Sequence, residues 1–217
     1  MSNFEAWGQQ ATDLTETLPR AGKLSNEKPV GGIWNSLVGN PGKWVFDTTD
    51  WAMNAGEVYD DYVGGKPHQH ICSKTKSGDF ELHAVFRMIG DDHANSGICI
   101  WLGPTSADNA PRYRVDRGKG DWGCLWEQGG DKMVRMFLPP LTEQLVKHHD
   151  WDHHCVVTRG HHIQAWLSGA KTIDVAHGKG CLQGSFAFPL THGKRHTNPD
   201  VKTLLVKPLG AAKSEMQ

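Results

Sequence analysis

SGDFELHAVFRMIGDDHANSGICIW, residues Ser77–Trp101, is the stretch that decides the fold of this chain. Its first half alternates, with Phe80, Leu82, Ala84, Phe86 and Met88 on one side and Glu81, His83 and Arg87 on the other. A period of two is typical of a half-buried antiparallel strand. Residues 90–97 are rich in Gly, Asp and Asn and predict a turn into a second strand. We therefore expect the apolar side to be buried between two sheets.

Short apolar segments separated by turn-forming residues, like those of the first strand pair, recur along most of the chain. From Gly31 onwards, Gly and Pro interrupt short apolar runs about every ten residues, as in sandwiches and barrels. This pattern alone predicts an all-β sandwich or barrel, and we interpret the chain as one antiparallel β-sandwich. We assign residues 1–30 to an N-terminal arm, 31–209 to the domain and 210–217 to a C-terminal tail.

Composition limits the classes of function. The 217 residues suffice for one buried all-β domain, and a net charge of -1 without a basic run argues against nucleic acid or anionic membrane as partners. The N-terminus resembles no signal peptide, and no apolar run is long enough to span a membrane. Five cysteines without a CxxC pair favour reduced thiols in a cytoplasmic protein. The oligomeric state stays open.

The hairpin from Tyr113 to Glu127 is the best candidate for catalysis. If Tyr113 and Val115 face the core, Arg114 and Asp116 face the open side of the sheet, and Glu127 ends the partner strand. Two carboxylates beside an arginine can divide acid and base roles or bind a cation. The alternative is a surface ladder of ion pairs, which contributes little stability.

Aromatic and polar side chains elsewhere could bind a sugar. Nine tryptophans are many for this length, and indole faces stack on sugar rings. Trp101, Trp122 and Trp126 are the candidates, although each could instead belong to the core. Glu81 and Arg87 lie on the polar side of the first strand, where they could hold a polar ligand.

A series of motifs resembles a known family, the domain of unknown function 1080, also called the 3-keto-disaccharide hydrolase domain. The matches occur in order over about residues 44–209, and any one alone would be weak. They are Gly78–Leu82, Phe86–Arg87, Asn95–Ile98, Tyr113–Gly118, Trp122–Glu127, His162–Gly169, Gly184–Phe188 and Val206–Leu209. The resemblance implies a concanavalin A-like jelly roll.

The resemblance also implies chemistry on glycosides that carry a ketone at C3. A base removes the C2 proton, and the C1 oxygen leaves by β-elimination; Asp116, Glu127 and Arg114 are the expected catalytic residues. The sequence leaves open whether the enzyme is a lyase, a hydratase or a hydrolase. The alternative is a non-catalytic, lectin-like carbohydrate-binding protein, since the same fold and tryptophans would serve it.

A divalent metal on the ketone would stabilise the enolate as a Lewis acid. We expect carboxylate and imidazole ligands from Asp116, Glu127 and His70, a set suited to Mn²⁺, Co²⁺ or Zn²⁺. His68 and His70 share one face of their predicted strand, as a metal pair requires. The alternative is that His70 only packs or forms a hydrogen bond.

Overall fold

Two antiparallel β-sheets pack on a shared hydrophobic core in this computed structural model. The structure describes residues 33–45, 51–54, 57–60, 69–90, 94–102, 112–118, 120–128, 132–135, 139–177, 182–190 and 197–210. The predicted N-terminal arm and most of the predicted tail lie outside these residues. The predicted antiparallel β-sandwich is confirmed.

The strands follow one another in the order β1 (Asn35–Ser36), β2 (Trp44–Val45), β3 (Trp51–Asn54), β4 (Glu57–Asp60), β5 (Gln69–Ser77), β6 (Phe80–Gly90), β7 (Asn95–Leu102), β8 (Arg112–Gly118), β9 (Leu125–Gln128), β10 (Lys132–Arg135), β11 (Asp152–Arg159), β12 (His162–Leu167), β13 (Ala170–Ala176), β14 (Gly184–Leu190) and β15 (Thr197–Pro208). A 3-10 turn covers Pro41–Lys43, and a short helix, α1, covers Pro139–Glu143. One sheet has eight strands, in the order β13-β12-β11-β6-β15-β4-β3, with β1 also paired to β15. The other has seven, in the order β10-β9-β8-β7-β14-β5-β2.

Strand β6 confirms the alternation predicted from the sequence. All five of its predicted core residues are buried; they are Phe80, Leu82, Ala84, Phe86 and Met88. Glu81 and Arg87 lie on the opposite side, and both form ion pairs there. Because β6 lies between β11 and β15, its apolar side meets the inner face of the seven-stranded sheet.

A buried ion pair joins the two sheets. Arg117 of β8 is 1% exposed, and its Nη2 lies 2.7 Å from Oδ2 of Asp152 at the start of β11. Arg117 Nη1 also donates to the carbonyl oxygen of Phe86 at 2.5 Å. Burial lowers the pKa of Arg117 to about 10 and raises that of Asp152. The pair therefore fixes the end of β8 against two strands of the other sheet.

Four cysteines lie in the described part of the chain, and no two of them form a disulfide with each other; they are Cys72, Cys99, Cys124 and Cys155. Cys181 lies outside the described residues. None of the described helices is long and apolar enough to cross a membrane.

Candidate functional site

A polar cluster lies on the outer face of the seven-stranded sheet. In β8, Tyr113 and Val115 belong to the core, so Arg114 and Asp116 point away from it. Arg114 is paired directly with Trp126 of β9, and Asp116 with Gly97 of β7. Together with Asp121 in the turn after β8, the side chains of Arg114, Asp116 and Trp126 form what we call the outer-face site.

Asp116 is a buried carboxyl group with an unusual proton affinity. The residue is 0% exposed, and its Oδ2 lies 2.5 Å from Nη2 of Arg114. Burial raises the pKa of Asp116 to about 7, because desolvation outweighs the attraction of Arg114, and the carboxylate of Asp121 adds to the increase. Asp116 is therefore partly ionised at neutral pH and can accept or donate a proton.

Two buried N–H groups of this site, Nε of Arg114 and Nε1 of Trp126, have no hydrogen-bond partner among the described residues. The carboxylate of Asp116 contacts the guanidinium of Arg114 and the backbone N–H of Arg117. Leaving a buried polar group unpaired costs about 1–3 kcal/mol. Buried N–H donors without a protein partner are groups that a bound ligand or an ordered water can satisfy.

Gly97 permits the close approach of β7 and β8 beside Asp116. A Cβ atom at this position would lie 2.4 Å from the carbonyl oxygen of Val115 and 3.0 Å from Cγ of Arg114. Any side chain at residue 97 would therefore displace the β8 backbone or Arg114.

The turn between β8 and β9 fixes the backbone of the site. Asp116 N donates to the Cys124 carbonyl oxygen, and Gly123 N donates to the Asp116 carbonyl oxygen, both at 2.9 Å. Within the turn, Asp121 N donates to Gly118 O, also at 2.9 Å. Both the carboxyl group and its negative neighbour Asp121 are thus placed by one rigid hairpin.

The structure does not bring Glu127 to this site, so the prediction that it converges with Asp116 and Arg114 is wrong. Glu127 is paired directly with Tyr113, whose side chain faces the core. Partners in register point to the same side, so Glu127 lies on the side opposite to Asp116. There, its Oε2 lies 3.4 Å from Nε2 of His177.

The predicted metal ligands are also separated. His70 is paired with Pro189 of β14, three strands from β8, which corresponds to about 14 Å at about 4.8 Å per strand. With Glu127 on the other side of the sheet, the ligand set Asp116, Glu127 and His70 does not fit a metal ion, and the prediction of this set is wrong. Among the residues that the structure describes, no three His, Cys, Asp or Glu side chains are arranged to hold a metal.

Trp101 belongs to the core, so the prediction that it binds substrate is wrong. Two residues of β7, Ile100 and Trp101, lie opposite the single residue Phe186 of β14. This bulge, with a φ of 56° at Trp101, reverses the alternation and turns the indole inwards. Its Nε1 donates to the carbonyl oxygen of Gly78 at 3.0 Å.

Trp122 is likewise not part of the outer-face site, because its side chain is buried against other residues. It is 5% exposed, donates its indole N–H to Oε2 of Glu143 at 2.5 Å, and packs with Val146 and Leu167. The prediction that Trp122 stacks on substrate is therefore wrong. Of the three tryptophans considered for sugar binding, only Trp126 lies beside Asp116.

Glu81 and Arg87 lie on the outer face of the other sheet and are not part of the outer-face site. Glu81 contacts His83 at 2.9 Å and Lys207 at 2.7 Å, and Arg87 pairs with Asp200 at 2.8 Å. Their charges are thus already balanced by protein groups.

The sequence-based prediction missed two parts of the site, Asp121 and Gly97. Asp121 lies in the turn of the very hairpin that carries Arg114 and Asp116, which would have indicated its proximity. Gly97 is the third residue of β7, and a glycine within a strand is a sign of close backbone approach.

Solved structures similar to this one include proteins that bind or act on carbohydrates. The carbohydrate-binding module CBM66 from Bacillus subtilis matches with a TM-score of 0.59 and 15% identity, over 76% of this chain and 95% of the module. A native glycosidic hydrolase matches with a TM-score of 0.57 and 13% identity, over 85% of this chain and all of that one. The exoplasmic/lumenal domain of VIP36, bound to Ca²⁺ and Man3GlcNAc, matches with a TM-score of 0.56 and 14% identity, over 80% of this chain and 86% of that domain.

At these identities the similarity shows the fold alone, and it confirms the predicted jelly roll. No match was found among curated proteins. One family matches residues 22–197, most of the chain, and this span contains the whole outer-face site. The chain belongs to the family described as the 3-keto-alpha-glucoside-1,2-lyase-like domain.

Proposed function

We propose that this protein is an enzyme that cleaves 3-keto-glycosides by removing the C2 proton and eliminating the C1 substituent. Family membership and the similar structures support a carbohydrate-related function. The observation that carries the finer proposal is Asp116, a fully buried carboxyl group beside the guanidinium of Arg114 and with a pKa of about 7.

The chemistry needs a base that is stronger than an ordinary aspartate. A ketone at C3 acidifies the C2–H bond, and a general base works best when its pKa lies near the working pH. Burial gives Asp116 that property, while Arg114 keeps a positive charge 2.5 Å from Oδ2. An exposed aspartate would be ionised at neutral pH but would be too weak a base.

Asp116 alone can carry the proton through the elimination, and all bonds and electron pairs are then accounted for. The Asp116 carboxylate takes the C2 proton, and the electron pair of the C2–H bond forms the enolate of the C3 ketone. The enolate then forms the C1=C2 double bond, and the C1–O1 bond breaks with its electron pair on O1. Protonated Asp116 returns the proton to O1, which leaves as an alcohol. Addition of water to the 2-hydroxy-3-keto-glycal would complete a hydrolysis.

Because Glu127 and His70 lie away from Asp116, each of these steps is assigned to the side chains of the outer-face site and none to a metal ion. The test is incubation with a 3-keto-glucoside and detection of the released alcohol. We expect Asp116→Asn to lower kcat by about 10²–10⁴-fold, since it removes the base. Asp174→Asn is the matched control, because Asp174 is exposed on the other sheet and pairs with Lys171. Equal activity of wild type and Asp116→Asn would contradict the mechanism.

A lectin-like binding function is the second candidate. It is favoured by the similarity to a carbohydrate-binding module and to a lumenal domain bound to Man3GlcNAc. It is also compatible with the separation of Glu127 and His70 from Asp116. Binding of unoxidised glycans, together with no turnover of any 3-keto-glycoside, would favour this function over the enzyme.

A further inference from the structure

We propose that Trp126 is a catalytic residue that acts through its indole N–H: together with Nε–H of Arg114, it holds the C3 oxygen as this oxygen becomes an enolate. This inference rests on the proposed function and deepens it. It assigns the stabilisation of the enolate to two protein donors and gives Trp126 a role other than stacking.

The first support is that the half-buried Trp126 differs from the three buried tryptophans. Trp44, Trp101 and Trp122 each donate the indole N–H to a protein oxygen, at 2.7, 3.0 and 2.5 Å respectively. Nε1 of Trp126 is buried too, but it has no acceptor among the residues that the structure describes. The fold thus satisfies three indoles and leaves the N–H of the one next to Arg114 buried without a protein acceptor.

The second support is the alignment of the two donors with the base. Arg114 and Trp126 are direct partners across β8 and β9, so their Cβ atoms lie about 5 Å apart on one side of the sheet. Asp116 follows two residues later on the same side, and its carboxylate touches the guanidinium of Arg114. Base and donors therefore project from neighbouring positions on one side of the sheet, as a reaction at the adjacent C2 and C3 atoms of one sugar requires.

The third support is charge balance. Before reaction, Arg114 faces the negative carboxylate of Asp116. When Asp116 accepts the C2 proton it becomes neutral, and the negative charge moves to the C3 oxygen. Arg114 then faces as many negative groups as before, so the net charge of the buried site does not change. Fixed donors of this type stabilise an oxyanion without rearrangement during the reaction.

A Lewis acid at the same oxygen would need ligands close to Arg114 and Trp126. Of the three predicted ligands only Asp116 lies there, and it is needed as the base; Glu127 faces the core and His70 is three strands away. The donors that the fold does place at this position are both N–H groups.

The kinetic test uses Trp126→Phe, which keeps an aromatic face and removes the N–H. We expect kcat to fall by about 10²–10³-fold with KM changed less than about threefold, and activity to persist in chelator-treated protein. Trp122→Phe is the matched control from the same hairpin, because its N–H binds Glu143. A Trp126→Phe enzyme with the wild-type kcat would show that only the ring matters. Activity that disappears with chelator and returns with Mn²⁺ or Co²⁺ would overturn the assignment as well.

A second measurement does not depend on turnover or on folding of the variant. Kojate, the anion of a hydroxypyranone, offers neighbouring enolate and ketone oxygens on a flat ring. In chelator-treated, ¹⁵N-labelled wild type, kojate should shift the indole N–H signal of Trp126 downfield and leave that of Trp122 in place. An unmoved Trp126 signal at saturating kojate refutes the donor pair. Lack of turnover by the wild type with a shifted signal would count against the proposed function and not against the donor pair.

Discussion

Asp116→Asn should make the protein more resistant to unfolding at alkaline pH, although it removes the proposed base. Burial raises the pKa of this carboxyl group from 3.8 to about 7. Between these two values the folded state holds a proton that the unfolded state has lost, so the free energy of unfolding falls as pH rises. The group's contribution to stability is thus complete below pH 3.8 and is lost as pH rises towards 7.

The change in the free energy of unfolding is set by the interval between the unfolded and folded pKa values of Asp116. Each pH unit within it is equivalent to about 1.4 kcal/mol, so a rise from pH 5 to pH 7 lowers the wild-type free energy of unfolding by about 3 kcal/mol through this group. Asparagine cannot ionise, so the variant loses none of this free energy as pH rises. Relative to wild type, Asp116→Asn should therefore gain about 3 kcal/mol between pH 5 and pH 8.

Urea unfolding of wild type and Asp116→Asn at pH 5 and pH 8 measures this difference directly. The comparison between two pH values cancels any constant effect of the substitution on packing. Asp174→Asn is the control without a pH effect in this range: Lys171, Gln164 and His162 hold the pKa of Asp174 well below its usual value, so Asp174 is ionised in both states from pH 5 to pH 8. Parallel pH dependence of wild type and Asp116→Asn would refute the claim that Asp116 is buried and destabilised when ionised.

Three further predictions concern stability and the support of the site. Gly97→Ala should lower both the melting temperature and kcat, since its Cβ would lie 2.4 Å from the carbonyl oxygen of Val115, whereas Gly210→Ala, with open space around it, should change neither. Arg117→Met should destabilise by about 3–5 kcal/mol in urea unfolding because it leaves Asp152 buried and unpaired, and adding Asp152→Asn should recover part of the loss. Burial and His83 lower the pKa of His153 to about 4, so its contribution to stability should be lost as pH falls from 6.5 to 4, and His153→Gln should flatten that part of the stability profile.

The strands could be predicted wherever alternation continued unbroken. The pattern of β6 gave the correct buried side, and in β8 the same reasoning placed Arg114 and Asp116 away from the core. Alternation could not have decided the position of Trp101, because a bulge in β7 adds a residue that reverses it, and no local feature of the sequence specifies a bulge.

The composition of the site was harder to predict than the sheet itself. Glu127 was placed beside Asp116 because both belong to one hairpin, but the side on which it lies depends on the register of β9 against β8. A shift of one residue in that register would have turned it towards Asp116. The prediction that His70 lies beside Asp116 was wrong for another reason: the sequence does not show how many strands separate β5 from β8.

The ion pair of Arg117 and Asp152 has a consequence for how the site can respond to a ligand. Arg117 follows Asp116 directly, and its guanidinium is held by Phe86 O and Asp152 from the opposite sheet. A single peptide unit therefore connects the carboxyl group on the outside of the sandwich to a fixed point in its interior. Asp116 cannot shift along β8 without breaking that buried anchor, so a substrate must adapt its position to the carboxyl group rather than draw the carboxyl group towards itself.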